Sequence, residues 1–182
     1  LRDLIARLRA VGSPYWDAKL REVGRVESIE DITSLPFTVK KEFRDTYPSG
    51  MLAVPMGDVV RVHASSGTSG KPTIVAYTAA DVAVFAEVNA RSLALAGATS
   101  ESIVHVAYGY GLFTGGLGLH FGVEALGATA VPASGGNPGF QVGLLADLGA
   151  DGLAHDAAGT DGARVELGLR TDVGAVADDR RP

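Results

Sequence analysis

The chain of 182 residues contains no cysteine. Disulfide bonds, thiolate metal sites and a cysteine nucleophile are therefore excluded, and nothing in the composition requires an oxidising compartment. We expect a cytoplasmic protein.

Long apolar runs and clustered basic residues are also missing. The longest apolar stretches, such as 82–85 and 103–108, are far shorter than the roughly 20 residues that a membrane helix needs. The formal net charge is −5, and adjacent basic residues occur only at Lys40-Lys41 and Arg180-Arg181. Nucleic acids and anionic membranes bind clustered positive charge, so we expect neither of them as a partner.

Residues 1–50 are predicted to form a helical segment. The sequence starts with Leu1-Arg2-Asp3-Leu4, which has neither an initiator methionine nor the pattern of a signal peptide. We therefore expect it to begin within a longer chain. Apolar residues recur at helical spacing up to Val11, and a second short helix is predicted over 16–23. Thr38 marks a further helix start.

Residues 51–150 alternate between strand patterns and helix patterns. Strands are predicted at 59–64, 74–77, 103–107 and 128–132, and helices at 79–95, 115–126 and 141–148. This alternation indicates the α/β fold class. Residues 151–182 differ, because six Ala, six Asp, five Gly and four Arg leave little to bury and no aromatic residue occurs there. We expect this tail to be poorly ordered.

A loop rich in glycine and hydroxyl groups lies between the first two predicted strands. Its residues are Ser65, Ser66, Gly67, Thr68, Ser69, Gly70 and Lys71. Glycine leaves backbone N–H groups accessible, hydroxyls donate hydrogen bonds without adding charge, and the lysine supplies a cation, which together suit a triphosphate. The alternative is a polar hairpin turn. The loop is not a Walker A motif. That spacing requires glycine at position 65 and serine or threonine at position 72, where this chain has Ser65 and Pro72.

A second candidate segment follows the strand predicted at 103–107. Tyr108, Tyr110, Gly111 and Phe113 lie directly after it, at the end where open α/β sheets bind ligands. Aromatic side chains that line a pocket, with glycines that leave room beside them, suit an aryl substrate. The alternative is aromatic core packing around a turn.

The sequence identifies no metal site and no catalytic residue. His63, His105 and His120 form no pair at metal-ligand spacing and are predicted to be structural. Ser65 and Ser66 lack the G-x-S-x-G elbow of a serine hydrolase.

Residues 65–73 resemble the phosphate loop of the adenylate-forming superfamily. They match the Ser-Ser-Gly-Thr-Thr-Gly-Lys-Pro-Thr form of the phenylacetate–CoA ligase family except at Ser69. Segments 35–38, 108–116 and 134–137 also resemble that family, so that the resemblance covers about residues 14–150. It implies part of the large N-terminal domain of an adenylate-forming enzyme.

The resemblance also implies an activity and its substrates. A family member ligates an aryl carboxylic acid such as phenylacetate to coenzyme A through an acyl-adenylate, using ATP and Mg2+. Residues 65–71 would hold the β- and γ-phosphates, and Tyr108, Tyr110 and Phe113 would lie beside the acid. The expected partners are the aryl acid, ATP and CoA, with monomer or homodimer left open.

Family motifs for adenine, ribose, magnesium and the catalytic lysine are not recognisable in the chain. The family pattern also stops near Asp151, where we expect a truncation or a change of reading frame. The chain by itself is therefore predicted to be an inactive fragment. The alternatives are a nucleotide- or phosphate-binding module without catalysis, or an interaction domain whose loop is only a turn.

Overall fold

A computed structural model describes residues 1–65 and 71–150, together with the backbone of two strands at 152–156 and 165–169. The chain divides into two compact units after Val82. The predicted α/β class is confirmed, since helices and small sheets alternate along the chain.

The first unit begins with short helices. They are α1 (Arg2–Ala10), α2 (Pro14–Lys19) and α3 (Lys40–Asp45), with single 3-10 turns at Glu30–Ser34 and Met56–Asp58. Helix α2 starts earlier than the predicted 16–23 because the fixed φ of a proline suits the first helical turn. It also ends earlier, at Lys19.

A small apolar core holds this helical part together. Its buried members are Ile5, Leu8, Leu20 and Val26. Helix α1 contributes the first two from one face, as the predicted helical spacing requires. The indole N–H of Trp16 donates to the Met51 carbonyl at 3.1 Å, which ties α2 to the end of the segment.

An antiparallel hairpin follows, formed by β1 (Val59–Ala64) and β2 (Ile74–Thr78). The predicted strands agree with these bounds to within one residue. Pairing continues to the register Ala64↔Ile74, so the glycine-rich loop leaves and re-enters at neighbouring points.

Helix α4 (Ala79–Leu95) starts directly at the end of β2. The Thr78 hydroxyl accepts from the Asp81 backbone N–H at 3.2 Å, and the Asp81 carboxylate accepts from the Thr78 backbone N–H at 2.9 Å. This reciprocal pair satisfies backbone donors that a helix start leaves without partners. The helix start predicted at Ala79 is confirmed.

The second unit is built on a four-stranded sheet with the order β4-β3-β5-β6. Its strands are β3 (Ile103–Ala107), β4 (Thr129–Val131), β5 (Gly152–Asp156) and β6 (Val165–Leu169). Strand β3 pairs in parallel with both β4 and β5, whereas β6 is antiparallel to β5. Strands β5 and β6 were not predicted, and the rest of the predicted tail lies outside the described residues.

Helices α5 (Gly115–Leu126) and α6 (Pro138–Leu148) complete this unit. Its core contains Leu93, Ala98, Val104, Val106, Tyr108, Leu119 and Val123. A Cβ on Gly118 would lie 2.7 Å from the Phe85 ring, and one on Gly122 would lie 2.5 Å from Cβ of Asn89. Glycines therefore allow α5 to pack closely against α4.

None of the helices in the described part of the chain combines the length and the apolar character needed to span a membrane.

Candidate functional site

The base of the glycine-rich loop is closed by two hydrogen bonds. The Ser65 backbone N–H donates to the Thr73 carbonyl at 3.0 Å, and the Thr73 N–H donates to Ser65 Oγ at 2.9 Å. Ser65 itself is exposed. Residues Ser66 to Gly70, also predicted to bind phosphate, lie outside the described residues. Ser65 thus uses its oxygen to close the loop, while its hydroxyl hydrogen can still be donated.

Lys71, at the far end of the loop, lies over an aromatic ring. Its Nζ is 5.1 Å from the centroid of the Tyr47 ring, within the range of a cation–π contact. No ion pair within the described residues includes Lys71. A ring attracts an ammonium group without neutralising it, so the positive charge stays available to an anion.

Tyr47 is a contact that the sequence analysis missed. It lies 38% exposed at the end of the helical segment, remote in sequence from the loop that it touches. Its pairing with Lys71 depends on the path of the chain between them, which no local pattern reports.

The aromatic segment after β3 divides into buried and exposed parts. Tyr108 is 4% exposed and belongs to the core of its unit. Phe113 is 46% exposed and stacks on Tyr108, with ring centroids 6.1 Å apart and planes inclined by 22°. Of these two predicted substrate contacts, Tyr108 is therefore buried, and Phe113, which stacks on it, is partly exposed.

Two kinds of glycine give this segment its shape. A Cβ on Gly115 would lie 2.5 Å from the Tyr108 ring, and one on Gly116 would lie 2.6 Å from the Gly109 carbonyl oxygen. The first turn of α5 can therefore lie directly against the segment. Gly111 differs, because a Cβ there would meet nothing within 4 Å. The space around Gly111 is therefore open.

Tyr110 is half-buried and takes part in a hydrogen-bonded series. Its hydroxyl lies 3.3 Å from Nδ1 of His120, whose Nε2 lies 3.2 Å from a carboxylate oxygen of Glu124. Burial raises the pKa of Tyr110 above its ordinary value, and the negative charge of Glu124 raises it further. The phenol therefore stays protonated well above neutral pH.

An apolar cleft of about 500 Å3 also lies in the first unit. Its lining includes Phe43, Met51, Leu52, Met56, Val62 and Val75, with Arg7 and Asp81 as charged members. These residues come from separate segments of the chain, which is why no local pattern predicted the cleft.

Among the side chains that the structure describes, no group of three or more histidines or carboxylates is placed to hold a metal ion.

Solved structures that resemble this fold are adenylate-forming CoA ligases. A 2-hydroxyisobutyryl-CoA ligase in complex with 2-HIB-AMP and CoA in the thioesterification state matches with a TM-score of 0.68 and 28% identity, over 83% of this chain and 36% of that chain. The same enzyme in the postadenylation state with 2-HIB-AMP gives a TM-score of 0.67 and 27% identity, over 82% and 35%. The fold therefore defines the class: part of an adenylate-forming CoA ligase.

Curated relatives narrow the class to one family, although no family model matches the chain. The phenylacetate-coenzyme A ligase of Thermus thermophilus is 56% identical over 139 residues, which is 74% of this chain and 31% of that enzyme. The enzyme of the same name from Pseudomonas putida is 55% identical over 142 residues, 76% of this chain and 32% of that enzyme. The chain belongs to the phenylacetate-coenzyme A ligase family and spans about a third of the length of these relatives.

Proposed function

We propose that this chain supplies the phosphate loop and the acid-facing aromatic segment of an enzyme that ligates an aryl carboxylic acid, such as phenylacetate, to coenzyme A. The observation that carries the proposal is the loop itself. Its base is closed between Ser65 and Thr73, and it ends at Lys71, whose charge no described carboxylate neutralises.

The proposed reaction has two steps. The carboxylate of the acid attacks the α-phosphorus of ATP and pyrophosphate leaves, which gives an acyl-adenylate. The thiol of coenzyme A then displaces AMP and forms the thioester. The first step develops negative charge on the leaving pyrophosphate, and a positioned cation with hydrogen-bond donors stabilises such charge. Lys71 and the loop of residues 65–71 are proposed for this role.

The acid is proposed to lie against the exposed part of the aromatic segment. Phe113 and Tyr110 offer ring faces and edges to an aryl group, Gly111 leaves room for it, and Tyr108 supports Phe113 from the core. The curated relatives are named for phenylacetate, which supports an aryl acid as the substrate.

Mg2+ accompanies ATP in this chemistry, but the described side chains include no cluster that fits the ion, so none of them is assigned to it. ATP and coenzyme A are available in the cytoplasm, which is the proposed location.

A chimeric enzyme tests the proposal. The 139 matched residues of the Thermus thermophilus ligase would be replaced by the corresponding residues of this chain. We expect the chimera to form phenylacetyl-CoA with release of AMP. Lys71→Ala should lower kcat/KM for ATP by roughly 10- to 100-fold, the value of one hydrogen bond to a charged group. Lys40→Ala, which removes another exposed lysine, is the matched control.

The alternative function is a phosphate- or nucleotide-binding module without catalysis. A folded chimera that binds ATP by calorimetry but makes no thioester would favour this alternative. Equal ATP use by Lys71→Ala and Lys40→Ala would contradict the role of the loop in either function.

A further inference from the structure

Helix α5 carries two polar side chains one turn apart, of which His120 contacts the aromatic segment and Glu124 contacts His120. His120 and Glu124 are separated by four residues, so they share one face of the helix. His120 meets the Tyr110 ring edge-on, with centroids 5.8 Å apart and planes at 81°. The three side chains therefore form a series from the helix surface to the segment.

The positions of the hydrogens in this series follow from its chemistry. A carboxylate can only accept, so Nε2 of His120 must carry the hydrogen that points to Glu124. In a neutral imidazole the other nitrogen is then an acceptor. The Tyr110 hydroxyl must consequently donate to Nδ1 of His120 across the 3.3 Å separation.

We propose that His120 and Glu124 are positioning residues that fix the ring and hydroxyl of Tyr110 for an aryl acid. The inference rests on the proposed function, in which Tyr110 lies beside the acid. Because its one hydrogen is committed to His120, Tyr110 does not donate to the carboxylate of the substrate. It offers a ring and an accepting oxygen, and Glu124 acts on the substrate only through His120 and Tyr110.

The first test is the tautomer of His120, read from its ring nitrogen shifts by NMR on the 182-residue chain at alkaline pH, where imidazoles are neutral. We expect a single Nε2–H tautomer in the wild type. Glu124→Gln should keep it, because the amide oxygen still accepts from Nε2–H. Glu124→Ala should give a mixture of the two tautomers. An Nδ1–H tautomer in the wild type, or no change in Glu124→Ala, would overturn the inference.

The second test is the kinetics of the chimera. Glu124→Ala should raise KM for phenylacetate by about 2- to 5-fold, the modest net effect of losing a single partly exposed hydrogen bond. The KM for ATP should stay unchanged, and Glu124→Gln should restore the wild-type value. Glu87→Ala removes an exposed glutamate of α4 that pairs with Arg91 at four residues' spacing, and it serves as the matched control.

The two tests separate the two claims. A chimera that makes no thioester contradicts the proposed function, whereas the tautomer of His120 still decides whether the series exists. An equal rise of both Michaelis constants in Glu124→Ala would show a structural effect and overturn the positioning role.

Discussion

The ammonium group of Lys71 lies over the Tyr47 ring and belongs to none of the ion pairs among the described residues. Lys19 and Lys41 instead pair with the carboxylates of Glu42 and Asp45, and each of those charges is therefore compensated. A ring holds Lys71 in place while leaving its charge for an anion. Under the proposed function, Tyr47 therefore positions the ammonium group of Lys71.

We expect Tyr47→Leu in the chimera to raise KM for ATP by about 2- to 5-fold, because an exposed cation–π contact is worth roughly 0.5–1 kcal/mol. Tyr47→Phe keeps the ring and should leave KM unchanged. Steady-state kinetics with varied ATP provide the measurement. Equal KM values for ATP in the two variants would contradict a role for the ring.

Helix α5 owes its position to glycines that have no space for a side chain. Gly122 lies against Asn89 of α4, where an added Cβ would approach to 2.5 Å. Gly143 in α6 is also helical, but nothing lies within 4 Å of the same added atom. Identical substitutions at these two sites therefore separate helix propensity from packing.

We expect Gly122→Ala to lower the free energy of unfolding by about 1–3 kcal/mol, the usual effect of overpacking. Gly143→Ala should raise it by roughly 0.5–1 kcal/mol, because alanine loses less backbone entropy in a helix. Urea unfolding followed by circular dichroism measures both. A stabilising Gly122→Ala would mean that α5 lies farther from α4 than described.

The start of α4 predicts a dependence of stability on pH. Two hydrogen bonds hold the pKa of Asp81 below its ordinary 3.8. The Thr78 backbone N–H donates the one with the larger effect, and the Thr78 hydroxyl donates the other. The unfolded chain therefore binds this proton at a higher pH than the folded chain does. The stability contributed by Asp81 is complete above its unfolded pKa and is lost as the pH falls through its folded value.

Asp81→Asn should thus be less stable than the wild type at neutral pH, and the difference should shrink as the pH falls below about 4. Unfolding midpoints in urea, measured across this acid range, provide the test. A difference that stays constant down to the lowest pH would show that the charge of Asp81 does not stabilise the helix.

Local patterns predicted most elements, and long-range pairing accounts for what they missed. The bounds of β3 and α5 were predicted because apolar runs and helix-ending glycines are local signals, and Gly127 ends α5 in a left-handed conformation. Strands β5 and β6 depend on pairing with β3 and with each other, which composition does not report. In the candidate site, the spacing of His120 and Glu124 was a usable signal, whereas the contact between Lys71 and Tyr47 was not.

At the scale of the whole molecule, the chain spans about a third of the ligases that it resembles. Large apolar side chains such as Phe37 and Leu95 are 92% and 91% exposed. A two-step reaction needs all reactants held together, since catalysis by positioning and preorganised charge depends on every partner.

We therefore expect the 182-residue chain to form no phenylacetyl-CoA when it is incubated with ATP, Mg2+, coenzyme A and phenylacetate. Chromatographic detection of AMP and thioester is the measurement. Sustained thioester production that disappears in Lys71→Ala would show that the chain contains a complete site.

The contacts of α5 also constrain how this helix can diverge among descendants of one ancestor. Gly115 and Gly116 lie against Tyr108 and the Gly109 carbonyl, while Gly118 and Gly122 lie against Phe85 and Asn89 of α4. A side chain at any of them would require its neighbour to shift, and at Gly116 and Gly122 that neighbour includes backbone atoms. Sequence drift should therefore slow at these four positions and continue at open ones such as Gly139 and Gly143. The spacing of these glycines would then outlast overall similarity and could reveal distant members of the family.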